Sequence, residues 1–228
     1  MGCAKTDEWT TLTEGEREMI RRATVTGRRI PGDAIYLEGD PGKGVYRVES
    51  GLVGIRKTDA EGNSVLLRLV GPGETFGYRP LIADEAHRTS AETIEAAAVS
   101  FVDKGAFLAV FERNPAFAAL VLKRVAKSLG EAEDRIFENA TLPLRARLAR
   151  FLVELTAREV GARRCAPARV EIPFSRQTLA SFLCATPESV SRTIRRMEND
   201  GVAQFSGRAV SVPRIESLYR ESGLALAA

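Results

Sequence analysis

Glu188, Ser191, Arg192 and Arg195 are spaced so that a helix through them would carry all four on one side, at about 100° per residue. Val190, Ile194 and Met197 would share the other side and face a core. The polar side has the groups that read base edges. A guanidinium pairs bidentately with guanine O6 and N7, a carboxylate accepts from cytosine N4, and a hydroxyl serves either way. With Arg176, Thr186, Ser189 and Arg208 they make up the set expected to meet DNA.

The elements that must hold this row are legible around it. Arg176 to Leu183 reads as a short helix with Leu179, Ala180 and Leu183 inward, and Cys184-Ala185-Thr186 is a tight break. Thr186 is a good N-cap and Pro187 suits the first helical position, so the second helix runs to about Asn199 and ends at Gly201. Val202 to Phe205, Ser206-Gly207, and Arg208 to Val212 read as a hairpin, with the tip and Arg208 placed to touch phosphate. A short helix, a tight turn, a reading helix and a hairpin make a winged helix-turn-helix. Leu144 to about Val160 is a further amphipathic helix with Leu148, Phe151, Leu152 and Leu155 inward, followed by a loop over 161–169.

Charge follows the same division. From Thr141 onward the chain has 14 Arg, no Lys and 8 acidic residues, a net of +6, while the first 140 residues carry −3. Arginine's planar fork suits phosphates and guanine edges better than lysine's point charge.

Upstream, Arg28 to about Val102 reads as short strands separated by glycine turns. Ile35 and Leu37, Tyr46 and Val48, and Val65, Leu67 and Leu69 alternate as inward residues of half-buried strands. After Asn114-Pro115 the period changes. Ala118, Leu122, Val125, Leu129, Ala132 and Ile136 form a heptad seam suited to one partner helix, a homodimer interface. Asn139 to Pro143 interrupts the pattern and is expected to be a hinge. The resulting organisation is α+β: a β-roll sensor over 1–113, a dimerisation helix over 114–140 and a winged helix-turn-helix domain over 141–228.

Several classes are excluded by what the chain lacks. No apolar run approaches the roughly 18–20 residues of a membrane-spanning helix. The N-terminus lacks the order of a secretory signal, and its Gly2/Thr6 myristoylation pattern has no basic cluster beside it. Cys3, Cys165 and Cys184 are an odd number at unrelated spacings, so no disulfide framework, zinc site, iron–sulfur site or other cofactor is expected, and the cytoplasm is the default compartment. No catalytic triad, zinc-protease motif or Walker loop is present, and the glycines of 71–77 fit a turn better than a dinucleotide fingerprint. An enzyme is not expected.

With these residues in view, the chain resembles the CRP/FNR superfamily from about Arg28 to Val212. The resemblance rests on Pro31-Gly32-Asp33, on Gly39-Asp40 with Val45-Tyr46-Arg47-Val48 and Gly51, and on the heptad helix and reading helix. Glu188-Ser189-Val190-Ser191-Arg192 is similar to the E-x-x-S-R pattern of the FNR branch. The resemblance implies a jelly-roll sensor like a cyclic-nucleotide-binding domain. It also implies a dimer that reads an inverted repeat similar to TTGAT-N4-ATCAA, with RNA polymerase as a further partner and no membrane.

It also implies a place for an effector, with departures. Cyclic-AMP binders have a Gly-Glu pair where this chain has Phe76-Gly77-Tyr78-Arg79-Pro80, so the carboxylate for the ribose is missing. Arg88-Thr89 stands near the family's second contact pair. Phe76, Gly77, Tyr78, Arg79, Arg88 and Thr89 are therefore the candidate effector pocket, for a small molecule the sequence does not identify. His87 is expected to be a solvated residue of a surface loop rather than a haem ligand. Cys184 stands in the turn where relatives usually have glycine, and it is the candidate redox residue as well as a candidate turn filler. A second reading remains: a cyclic-nucleotide module that regulates a protein partner, with no need of a winged helix.

Overall fold

A computed structural model describes residues 8–159 and 167–224; Gly2, Cys3, Thr6, Cys165 and most of the loop expected over 161–169 lie outside them. The chain divides into two compact units, one ending at Ala132 and the other beginning at Glu133.

The first unit opens with a 3-10 turn (Glu8–Thr11) and α1 (Glu14–Arg22). Thr13 and Glu16 form a capping box: the Thr13 N–H donates to Glu16 Oε2 at 2.8 Å and the Glu16 N–H to Thr13 Oγ1 at 3.4 Å. Strands β1 (Thr24–Arg29), β2 (Ala34–Tyr36), β3 (Gly44–Ser50), β4 (Val53–Thr58), β5 (Ser64–Val70) and β6 (Thr75–Phe76) precede a short helix, α2 (Tyr78–Ile82). Strands β7 (Ser90–Thr93) and β8 (Ala97–Asp103) complete the set. They pair antiparallel in two four-stranded sheets, β1-β8-β3-β6 and β2-β7-β4-β5, the roll that short, evenly punctuated strands predict. Tyr36, Val48, Val53, Val70, Phe76 and Val99 are part of one core cluster drawn from both sheets. Between β3 and β4, Gly51 takes a φ of +81°, and a Cβ there would lie 2.2 Å from the Ala96 carbonyl oxygen, so only glycine fits the turn.

Two inward faces differ from strict alternation. In β5, Ile55 pairs with Arg68 and Arg56 with Leu66, which leaves Leu67 as the extra residue of a bulge. Leu66 and Leu69 are consequently buried, while Val65 and Leu67 face out. In β2 the buried residue is Tyr36, with Ile35 half-buried. Leu37 is exposed because the chain already turns there, its N–H donating to Asp40 Oδ2 at 2.8 Å.

Helix α3 (Lys104–Arg113) starts on Asp103, whose Oδ1 accepts from the Gly105 N–H at 2.7 Å. Asn114 caps α4 (Pro115–Thr141), accepting the Phe117 N–H at 2.9 Å, as its place before Pro115 predicts. Phe107, Val110, Phe117 and Val121 join Ile20, Tyr78 and Val102 in a second cluster.

Helix α4 runs on to Thr141, past the expected interruption at Asn139, and the division between units falls inside it. Its last turns belong to the second unit for a physical reason. The Arg135 guanidinium lies 4.3 Å from the Phe182 ring centroid, Arg150 pairs with Glu138, and Arg147 Nη1 donates to Asn139 Oδ1 at 3.2 Å. The backbone break itself is confined to Leu142-Pro143.

The second unit continues with α5 (Leu144–Glu159), which buries Leu148, Phe151, Leu152 and Leu155 as its periodicity predicts. Strand β9 (Ala168–Glu171) occupies the end of the expected loop. Then come α6 (Arg176–Phe182), α7 (Pro187–Asn199), β10 (Gln204–Ser206), β11 (Ala209–Val212) and α8 (Ile215–Ser222). The three strands form one antiparallel sheet in the order β10-β11-β9.

Candidate nucleic-acid interface

Local chemistry fixes both helices of the pair. Ser175 Oγ accepts the Thr178 N–H at 3.1 Å and starts α6. Thr186 Oγ1 accepts the Ser189 N–H at 3.3 Å and starts α7, with Pro187 in its first turn. Between them Cys184 has a φ of +48°, a left-handed conformation that side chains other than glycine rarely take. Its N–H donates to the Ser181 oxygen at 3.0 Å, and the Ala185 N–H to the Ala180 oxygen at 2.9 Å, so the turn is held by backbone. The Cys184 thiol is exposed and accepts from Asn139 Nδ2 at 3.2 Å.

Val190, Ile194 and Met197 of α7 are buried, each stabilising by about 1.5–3 kcal/mol against exposure. Glu188, Ser191, Arg192 and Arg195 are exposed on the other side, and Ser189 is half-buried. Among the described residues none forms an ion pair with Glu188, Arg192 or Arg195. Arg192 Nη2 rests 3.4 Å from Ser189 Oγ, and Ser191 Oγ donates to the Pro187 oxygen at 2.9 Å.

The wing is a two-residue hairpin whose first turn residue, Gly207, takes a φ of +62°. Arg208 Nε donates to the Ile172 oxygen at 3.0 Å, and its guanidinium lies 3.2 Å from Glu171, so this arginine fastens the wing while about half exposed. Arg176 is placed differently from its neighbours. It is half-buried, its guanidinium 5.3 Å from the Phe205 ring centroid and its Nη2 donating to the Gly207 oxygen at 3.3 Å. Burial lowers its pKa, against the pull of Glu198.

Residues outside the sequence-derived set hold this surface in place. Glu198 Oε1 accepts the Phe205 N–H at 3.0 Å and ties the wing to the reading helix. Arg145 of α5 bonds Asp200 Oδ2 at 2.5 Å and Glu221 at 2.6 and 2.8 Å, joining the end of α7 to α8. Both carboxylates, led by Glu221, raise the Arg145 pKa further. Nothing in the local spacing marks Arg145, whose partners lie 55 and 76 positions away, while Glu198 reaches a backbone N–H seven residues on, across the turn into the wing.

The first unit brings the six expected effector residues together. Phe76, Gly77, Tyr78, Arg79, Arg88 and Thr89 all line one cavity of about 520 Å³. Gly77, with φ +88°, lets β6 turn directly into α2 beside Tyr46. Tyr78 is buried, and its hydroxyl bonds Glu8 Oε1, while Glu8 Oε2 lies 3.1 Å from Arg124 of α4. Arg79 is paired with Glu85 at 2.5 Å.

His87 corrects the expectation of a solvated loop residue. It is buried and stacked on Tyr36 with ring centroids 3.6 Å apart, and Asp40 holds its backbone by accepting the His87 N–H at 2.9 Å. Burial lowers its pKa from 6.5, with Asp40 opposing. Burial also raises the Tyr36 hydroxyl to about 12, against a hydrogen bond with Thr89.

Along α4 the expected seam is half-buried at Ala118 and exposed from there on: Leu122 is 54% exposed, Leu129 61% and Ile136 70%, and Val125 and Ala132 are exposed too. No single helix among the described residues is long and apolar enough to cross a membrane.

Residues 30–114 match the family model described as a cyclic nucleotide-binding domain, and residues 146–221 the one described as a Crp-like helix-turn-helix domain. The transcriptional regulator LdrP of Thermus thermophilus is 31% identical over 86% of this chain and 96% of its own. The chain belongs to the CRP/FNR family of transcription regulators. A second relative of this CRP/FNR regulator is the nitrogen fixation regulation protein FixK of Rhizobium meliloti, 28% identical over 89% of this chain and 92% of its own. The solved structure of FixK2 from Bradyrhizobium japonicum matches with a TM-score of 0.77 at 26% identity, over 90% of this chain and 99% of that one. The winged unit of this CRP/FNR regulator is thus its DNA-binding unit, and both relatives are named as regulators rather than enzymes.

Proposed function

We propose that this CRP/FNR regulator is a cytoplasmic homodimer that binds an inverted repeat resembling TTGAT-N4-ATCAA and acts on RNA polymerase. The observation that carries the reading is the outer edge of α7. Glu188, Ser191, Arg192 and Arg195 stand exposed on a helix braced at both ends, with no ion pair among the described residues to be broken before DNA is met. The tip of the wing, Gly207-Arg208, offers a half-exposed guanidinium for the flanking phosphates. Arg176, wedged under the wing, orients it.

Dimerisation is supported by the aliphatic stripe from Leu122 to Ile136, which a single copy leaves open to solvent. Two such stripes zipped together match the seam of a coiled coil. The two reading helices would then meet half-sites about 34 Å apart, one turn of the duplex. The cavity supports control by an effector, which must favour the DNA-competent arrangement over another to have any effect. Cys184 adds a redox input to this reading, since its thiol is exposed two residues before the reading helix is capped. Peroxide then weakens operator binding by the wild type and spares Cys184→Ser.

The deciding measurement is a gel shift on the inverted repeat beside a scrambled duplex, repeated across salt. The expected result is preference for the repeat, with Arg192→Ala losing about 1–3 kcal/mol at one base position and relaxing specificity there. Equal binding of both duplexes, or an Arg192→Ala variant that discriminates as well as wild type, overturns the reading. Nothing in the structure favours the alternative of a module acting on a protein partner.

A further inference from the structure

The lining of the cavity in the roll carries charge of one sign. Arg68, Arg79 and Arg88 reach it, and no aspartate or glutamate does. Arg79 is neutralised by Glu85. Arg68 is half-buried and gives its Nη1 to Ser128 Oγ at 3.1 Å, and neither it nor Arg88 forms an ion pair among the described residues. A guanidinium has five donors, and the bond to Ser128 uses one of those on Arg68. The rest of the wall is mostly apolar, with the hydroxyl residues Thr89 and Ser128 among it. Tyr36 stands with its ring 3.6 Å from His87 and 6.1 Å from Phe76, and Ile55, Val125 and Leu129 close the other sides. His87, buried against Tyr36, stays neutral and adds an aromatic face.

Such a space suits a ligand with a negative head and a planar, water-avoiding body. It does not suit a cyclic nucleotide. The ribose hydroxyls would find no carboxylate acceptor, because Gly77 is followed by Tyr78, whose hydroxyl is committed to Glu8. A volume of about 520 Å³ falls within the ordinary range for small-molecule sites, and the mix of apolar walls with a few fixed polar groups is how such sites gain both affinity and orientation.

We propose that the cavity binds a small aromatic carboxylate, its head held by Arg68 and Arg88 and its ring packed among Tyr36, Phe76 and Leu129. The proposal rests on the reading of the roll as the effector domain, and it names the class of effector. Val125 and Leu129 belong both to this lining and to the stripe expected between two copies, so the bound ring touches the seam directly.

Calorimetric titration of the full chain, with no DNA present, tests this with 2-naphthoate, 2-naphthol, 2-naphthyl phosphate and cyclic AMP. The expected order places 2-naphthoate at least about tenfold tighter than 2-naphthol, the gain of one charge-assisted hydrogen bond. Cyclic AMP binds more weakly than 2-naphthoate, and Arg68→Gln and Arg88→Gln each weaken 2-naphthoate by a similar factor. Arg88 is exposed, so its variant keeps the test valid should Arg68→Gln misfold. Tighter binding of 2-naphthyl phosphate than of 2-naphthoate overturns the carboxylate head. Tighter binding of cyclic AMP, equal binding of the neutral naphthol, unaltered binding by the Arg88 variant, or no binding of 2-naphthoate overturns the proposal as a whole. The gel shift described above is read without any of these compounds, so a protein that prefers its operator yet ignores 2-naphthoate loses this proposal alone.

Discussion

Replacing Cys184 by glycine should stabilise the DNA-binding unit, although the change deletes a side chain. Cys184 sits at a φ of +48°. For an L-residue that region costs about 1–2 kcal/mol, and for glycine essentially nothing. Glycine also loosens the unfolded chain, which takes back about 0.4–1 kcal/mol. The thiol's hydrogen bond, from Asn139 Nδ2 to the exposed Sγ at 3.2 Å, is weak, so its removal changes little. The balance is a gain of roughly 0.5–1 kcal/mol, which for a domain of this size raises its melting transition by about 2–8 °C in scanning calorimetry of the full chain. Cys184→Val, with a branched Cβ in the same conformation, should move the transition the other way by at least as much. Operator affinity of the glycine variant should hold, since backbone bonds to Ser181 and Ala180 set the turn. A glycine variant that melts below wild type, or a valine variant that melts with it, would refute the assignment of strain to this residue.

Two further outcomes follow from burial and exposure. Leu129→Lys places a charge on the exposed stripe of α4, so sedimentation should show monomers where the proposed reading expects a wild-type dimer, with secondary structure unchanged. His87 carries a pH dependence of definite sign. Its pKa is lowered on folding, so as pH falls below about 6.5 the unfolded chain takes up the proton first and stability drops until the folded pKa is also passed. The urea midpoint of the wild type should therefore fall between pH 7.5 and pH 5.5 by more than that of His87→Gln; equal falls would show that the ring titrates freely.

How much of this was legible in the sequence depended on how local the determining interactions are. The reading helix was, because its cap, its proline and its 3.6-residue period all lie within one stretch around Thr186 and Met197. The six residues that the resemblance grouped as a candidate effector pocket do line one cavity. The inward face of β5 was not legible, since a single extra residue, Leu67, reverses the alternation midway, and bulges leave no compositional mark. His87 looked like a loop residue because the loop is one; only the return of the chain against Tyr36 buries it. The pairs Arg145–Glu221 and Tyr78–Glu8 join residues 76 and 70 positions apart, a separation that no periodicity reports.

The Arg145 clamp has a consequence for how specificity can change. The struts that keep α7 rigid run through Arg145, Asp200, Glu221 and Glu198, and none of them belongs to the row that faces outward. Exchanging Glu188, Ser191 or Arg195 should therefore leave the scaffold's melting behaviour nearly untouched, while under the proposed reading it shifts the preferred half-site. A regulator built this way can be retargeted by a few exchanges, much as a printing block accepts new type without a new press.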